Sequence, residues 1–154
     1  MRILLSFLFI CIWQVSFSQM TFAEMKNIQK MDLNKFETYC LSNGYEFNNV
    51  IDDNNYFGMC YAKGSGLVTK HLSLYDKYEI VYKNVVDYQT GSSSEYLTIK
   101  TQLESAGLKL TKTSSYDGVL FREYSSDLLL VNIASGKHPE SEKEFYQIIL
   151  KKKN

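Results

Sequence analysis

Histidine is scarce in this sequence, which argues against a metal centre. His71 and His138 are the only two, and neither has a histidine, cysteine or carboxylate neighbour at the short spacing that zinc ligands show. The acidic pair Asp52-Asp53 lies in a run without the central glycine and terminal glutamate of an EF-hand calcium loop. We therefore predict no bound metal and no other cofactor.

Recognisable catalytic motifs are also missing. The chain has no G-x-S-x-G elbow, no Cys-His signature, no phosphate-binding P-loop and no dinucleotide-binding glycine fingerprint, and the run 64–66 is a lone Gly-Ser-Gly turn. Nucleophilic catalysis needs a nucleophile, a base and an orienting group in contact, and no pattern here predicts such a set. We predict no catalytic residue, with a hydrolase of the cell envelope as the alternative.

Outside its first eighteen residues, the sequence has no long apolar run. That segment has the three parts of a secretory signal in order: the cation Arg2, an apolar run, and small residues at Ser16 and Ser18. The apolar run is shorter than the roughly 20 residues that span a membrane. We predict cleavage between Ser18 and Gln19, and a periplasmic or secreted mature protein.

Removal of the signal segment changes the charge composition of the mature protein. Arg2 leaves with it, so the 17 basic residues become one fewer than the 17 acidic ones. A near-neutral chain has no positive electrostatic field to attract nucleic acid. The lysine run at 151–153 could bind an anionic membrane only weakly, because the mature chain lacks the second anchor that stable membrane attachment needs. We predict no nucleic-acid partner and no membrane anchor in the mature chain, whose oligomeric state is left open.

Two of the three cysteines remain after cleavage. Cys11 is in the signal, so Cys40 and Cys60 form the one available pair in an oxidising compartment. A disulfide between them is therefore permitted. The alternative is that both are small buried apolar residues, as free cysteines often are.

Helix-starting patterns occur near the mature N terminus. Thr21 and Glu24 have the spacing of a capping box, Asp32 and Asn34 offer a second helix start, and Gly44 matches a left-handed helix end. We predict a short helix, a turn and a second helix between Thr21 and Gly44, or one bent helix over the same range. A further helix starts at Ser92, with a second capping box.

After each helical region the pattern changes to short, alternating segments rich in tyrosine, valine and isoleucine, which predicts antiparallel strands joined as hairpins. Asp117-Gly118 is the strongest of the hairpin turns. The predicted strands are 45–52, 56–63, 67–75 and 78–86, then 108–115, 119–125, 128–135 and 144–152.

The order of elements is repeated along the chain. We predict one α+β domain over 19–154 made of two tandem units, about 21–88 and 92–153. Each unit would be a helix, or a helix-turn-helix, followed by its own four-stranded antiparallel meander sheet. The alternative is chance similarity, because any helix followed by a meander gives this order.

This layout resembles the tandem architecture of β-lactamase inhibitor protein-like folds, although this chain has one helix, not two, before its second sheet. The resemblance rests on element order and transfers no functional residue. The mature start, MTFAEMKNIQKMDLNKFETYCLSNGYEF, is similar to that of short exported proteins of Bacteroidota-type bacteria. This second resemblance implies an exported protein of this fold.

Tyrosine dominates the mature aromatic content. An antiparallel sheet covered by helices on one side leaves the other side wet, where strand tyrosines offer rigid contact area for a protein partner. We predict an exported, inhibitor-like binding module that recognises another envelope or extracellular protein. The alternatives are ordinary cross-strand tyrosine pairs and a structural envelope protein. The candidate surface residues are Tyr56, Tyr61, Tyr78, Tyr82 and Tyr124.

Overall fold

The computed structural model describes residues 20–53, 56–76, 79–138 and 141–153, so the predicted signal segment lies outside it. The described chain contains three helices and eight strands. In chain order these are α1 (Phe22–Lys30), α2 (Leu33–Ser42), β1 (Glu46–Asp53), β2 (Tyr56–Lys63), β3 (Gly66–Asp76), β4 (Glu79–Thr90), α3 (Ser93–Ser105), β5 (Lys109–Tyr116), β6 (Val119–Ser125), β7 (Leu129–Lys137) and β8 (Glu144–Lys152).

The two N-terminal helices begin at capping side chains. Thr21 Oγ1 accepts a hydrogen bond from the Glu24 amide at 3.2 Å, and the Glu24 carboxylate accepts one from the Thr21 amide at 2.8 Å. Asp32 begins α2 by accepting from the Lys35 amide at 2.9 Å. The capping box predicted at Thr21 is confirmed, and the region forms two helices and not one bent helix.

The helix ends and the tightest hairpin also follow local residue chemistry. Gly44 and Gly107 follow α2 and α3 with φ of +74° and +81°, a conformation that favours glycine because it has no Cβ. Asp117 and Gly118 both have positive φ, as the predicted two-residue turn between β5 and β6 requires.

The sheet differs from the predicted arrangement. The chain does not form two separate four-stranded sheets: it forms one eight-stranded antiparallel sheet in the order β1-β2-β3-β4-β8-β7-β6-β5. The strands β4 and β8 pair along a central seam, with Val86 opposite Leu150 and Tyr88 opposite Ile148. In two separate sheets, β4 and β8 would each have an edge whose backbone groups lack hydrogen-bond partners. Pairing the two strands with each other supplies those partners to both edges.

All three helices pack on one side of this sheet. The helices α1 and α3 each contact both β4 and β8, so they lie across the seam, and α2 contacts β1 and β3. Along each strand, the side chains that point into this core alternate with side chains that point to the opposite side of the sheet. We call that opposite side the open face. The strand residues of the core are Tyr61, Val68, Val86, Tyr88, Tyr124, Val131, Ile133, Ile148 and Leu150.

A buried lysine joins the sheet to the end of α1. Lys70 of β3 is fully buried, and its Nζ donates to the carbonyls of Ile28 at 3.0 Å and Gln29 at 3.1 Å. The last carbonyls of a helix have no partner within the helix, so the ammonium supplies the missing donors. Burial nevertheless lowers the pKa of Lys70 to about 8.

Candidate functional site

Two of the predicted surface tyrosines are in the core. Tyr61 is 0% exposed and Tyr124 is 2% exposed, and the Tyr61 ring packs edge-on against Phe36 of α2 with centroids 5.4 Å apart. Both side chains point toward the helices, because the strand register places them opposite the core residues Val68 and Val131. Neither ring is therefore accessible to a partner.

The structure describes no side chain for the other three predicted tyrosines. Tyr56 lies in β2 and Tyr82 in β4, where both backbones pair with Leu74 of β3. Their side chains, and the whole of Tyr78, lie outside the described residues.

The two cysteines are buried and free. Cys40 belongs to the core on the helix side. Cys60 lies between Met59 and Tyr61, whose side chains face the helices, so strand alternation directs Cys60 to the open face. Burial raises the pKa of the Cys40 thiol to about 12, which keeps it protonated and unreactive. This placement favours the alternative of two buried thiols over the disulfide.

The open face carries a shallow hollow between β5 and β8. It encloses about 370 Å³. Its side chains combine apolar groups with hydrogen-bonding ones, and they include Lys112, Phe121, Glu123, Asn132, Gln147 and Ile149. No described helix packs on this side, so the hollow faces outward.

Two exposed aromatic rings stand beside this hollow. Phe121 is 42% exposed and Tyr116 is 79% exposed. Tyr116 pairs with Val119, and Phe121 pairs with Ser114, so the two rings are diagonal neighbours on the β5–β6 hairpin. Large apolar surface left in water at a concave site is the property that protein interfaces use as an anchor.

A buried carboxylate lies next to the hollow at the seam. The Oδ2 atom of Asp87 accepts a hydrogen bond from Gln147 Nε2 at 2.7 Å, and its Oδ1 atom is buried. Burial disfavours the charged form and raises the pKa of Asp87 to about 6. The Oδ1 atom is enclosed by the protein, so Asp87 belongs to the wall behind the hollow and not to its accessible lining.

Within the described part of the chain, neither histidine belongs to a group of potential metal ligands. His71 is buried on β3, where burial lowers its pKa, and His138 follows β7. Across the described ranges, no three histidine, cysteine, aspartate or glutamate side chains gather closely enough to hold a metal ion.

Sequence reasoning missed both Tyr116 and Asp87. Tyr116 directly precedes the Asp117-Gly118 turn, so counting back along the alternation of β5 could have assigned its face. The burial of Asp87 had no local signal, because it depends on the pairing of β4 with β8 and on Gln147, 60 residues away in the chain.

The chain matches no known family model, no curated protein and no solved structure in the comparisons made. None of the described helices is long and apolar enough to cross a membrane.

Proposed function

We propose that this protein is an exported, non-catalytic binding module that recognises a partner protein through the open face of its sheet. The observation that carries this proposal is the hollow beside Phe121 and Tyr116, which combines exposed aromatic surface with hydrogen-bonding side chains. Phe121 and Tyr116 take the place of Tyr61 and Tyr124, which are buried in the core, as candidate contact residues of the sheet.

The chemistry of the hollow defines the partner. Phe121 and Ile149 offer apolar walls for an inserted side chain, and Asn132 and Gln147 offer amide donors and acceptors beside it. The lining also carries charged groups of both signs, from Lys112 and Glu123. We expect the partner to insert an apolar side chain flanked by hydrogen-bonding groups.

Site-specific crosslinking tests this proposal. A photoreactive phenylalanine analogue is placed at Phe121 in one protein and at Leu97 in another, and each is illuminated in cells that export it. Leu97 is an exposed apolar residue of α3, on the helix side, and serves as the matched control. We expect one discrete protein adduct from position 121 and none from position 97.

The purified partner then gives a quantitative test. Phe121→Ala should weaken its affinity at least about tenfold, the loss typical of an interface anchor, whereas Leu97→Ala should leave it unchanged. Adducts of equal yield from both positions, or no adduct from position 121, would overturn the assignment of the open face.

A further inference from the structure

A second hollow lies at one end of the molecule, on the helix side. It is bordered by α1, the end of α3, the β6–β7 turn and the end of β8, and it encloses about 1060 Å³. We call it the basic groove. The volume is at the upper end of the range typical of small-molecule sites, about 300–1,000 Å³.

The charged side chains that line the basic groove all carry the same sign. They are Lys26, Lys30, Lys152 and Lys153. No acidic side chain of the described residues lines it, and the nearest acid along the chain is Asp127, in the β6–β7 turn. The buried ammonium of Lys70, bound to the Gln29 carbonyl, adds a further cation behind this wall. Such a concave, one-signed surface attracts anions.

The groove is apolar between these cations. Phe22, Leu108 and Leu128 contribute to its lining, and Leu128 is 68% exposed at the β6–β7 turn. The Nζ atom of Lys26 lies 5.0 Å from the centre of the Phe22 ring, so a cation and an apolar surface are in direct contact here. A simple inorganic anion would use only the cations and leave the apolar lining in water.

A buried donor without an acceptor also belongs to this groove. Gln29 is only 8% exposed and lines the groove, and its Nε2 atom meets no acceptor among the described residues. Buried polar groups almost always have a partner. Because the Gln29 side chain lines the groove, a rotation of its amide would present Nε2 to an acceptor bound there.

We propose that the basic groove binds a single-chain amphipathic anion, such as a fatty acid or an alkyl phosphate. Its hydrocarbon chain lies along Phe22, Leu108 and Leu128. Its carboxylate or phosphate lies among the lysines and accepts a hydrogen bond from Gln29 Nε2 after the amide turns toward the groove. This site is separate from the open face and does not depend on the proposed protein partner.

Calorimetric titration of the purified protein tests the ligand class. The probes are dodecanoate and dodecyl phosphate below their micellar concentrations, inorganic phosphate as the head group alone, and dodecyl maltoside as the neutral chain. We expect saturable 1:1 binding of at least one anionic dodecyl compound and far weaker binding of the other two probes. The proposal would be overturned if inorganic phosphate or the maltoside bound equally well. It would also be overturned if the protein bound phosphatidylglycerol vesicles, added as a further probe, but neither anionic dodecyl compound.

Charge reversal tests the location. The double variant Lys26→Glu/Lys30→Glu should weaken dodecyl binding at least about tenfold, since it replaces two attractive charges with two repulsive ones. The control Lys109→Glu/Lys137→Glu makes the same change in net charge at exposed residues of β5 and β7. An equal loss of affinity in the control would show that only net charge matters and would refute the groove.

Substitution of Gln29 separates a binding role from a structural one. Gln29→Leu removes the unpaired donor, so the ligand-free variant should melt at a higher temperature than the unsubstituted protein, while dodecanoate should raise that temperature by less. If the variant melts lower and binds dodecanoate with unchanged affinity, the amide has a structural role and contributes nothing to the ligand.

Discussion

Asp87 holds a carboxylate at the buried edge of the open-face hollow, where its charge is disfavoured. Its pKa is raised to about 6 in the folded chain, whereas the unfolded chain has the ordinary value of 3.8. A raised carboxyl pKa contributes stability that is fully present below about pH 4 and is lost as the pH rises through about 6. The ionised side chain therefore lowers the stability of the fold at neutral pH.

We expect Asp87→Asn to stabilise the fold at pH 7 by about 1–3 kcal/mol, because the amide keeps the Gln147 contact without a charge. The gain should vanish below about pH 3, where the aspartate is protonated in both the folded and the unfolded chain. Urea unfolding of both proteins between these pH values measures the difference. A gain of the same size at both ends of this range would contradict a role for ionisation.

Lys70 is the opposite case, a cation that burial disfavours. Its pKa is about 8 in the folded chain, against the ordinary value of 10.5. The stability gained when the buried ammonium loses its proton is therefore fully present above about pH 10.5 and is lost as the pH falls through about 8. We expect the stability of the unsubstituted protein relative to Lys70→Met to rise by about 1–2 kcal/mol between about pH 7.5 and 9.5. Chemical unfolding of the two proteins at matched pH measures this difference. A stability difference that does not change with pH would show that the ammonium is in contact with water.

Which tyrosine faces water depends on register and not on residue type. Tyr61 and Tyr124 are buried, whereas Tyr116, which has the same side chain, is 79% exposed. Alternation assigns two faces to a strand, but only the positions of the helices decide which face is covered. For this reason the sequence could predict tyrosine-bearing strands and could not identify the exposed rings.

At the scale of elements, the start of α1 depends on a short reciprocal contact. Thr21→Ala removes the side chain that caps the Glu24 amide, so it should destabilise the fold by about 1 kcal/mol. Thr21→Ser retains the hydroxyl oxygen and serves as the matched control. Thermal unfolding of the two variants measures the effect, and equal losses would show that the lost methyl group, and not the cap, is responsible.

Helices, strands and hairpin turns were predictable because their signals are local. Both N-terminal helix caps and the Asp117-Gly118 turn are formed by residues within a few positions of one another. The pairing of β4 with β8 has no comparable signal, since several strand edges present the same backbone donors and acceptors. Two separate sheets and one joined sheet are therefore equally compatible with the same predicted elements.

At the scale of the whole molecule, the predicted signal segment has a direct test. Trp13 is the only tryptophan, and it lies within the segment expected to be removed. We expect the exported protein to have an intact mass that begins at Gln19 and to show tyrosine emission without tryptophan emission. Tryptophan emission from the exported protein would show that the segment is retained, which would contradict cleavage after Ser18.

The basic groove could not be found from the sequence for a related reason. Its lysines come from α1 and from the C-terminal end of β8, at opposite ends of the described chain. The sequence of the terminal lysine run predicts only that it is no stable membrane anchor, because nothing in that sequence indicates which side chains lie beside it. Only the packing of α1 across the seam brings the two groups to one cavity.

The seam also has a consequence for the order of folding. Each meander is built from hairpins whose partners are close in the chain, whereas Asp87 and Gln147 meet across 60 residues. Loop closure over that distance is slow relative to hairpin formation. We expect the seam to form last, so a nascent chain that has not yet added β8 exposes two additional unpaired strand edges, those of β4 and β7. During that interval the molecule is most vulnerable to aggregation.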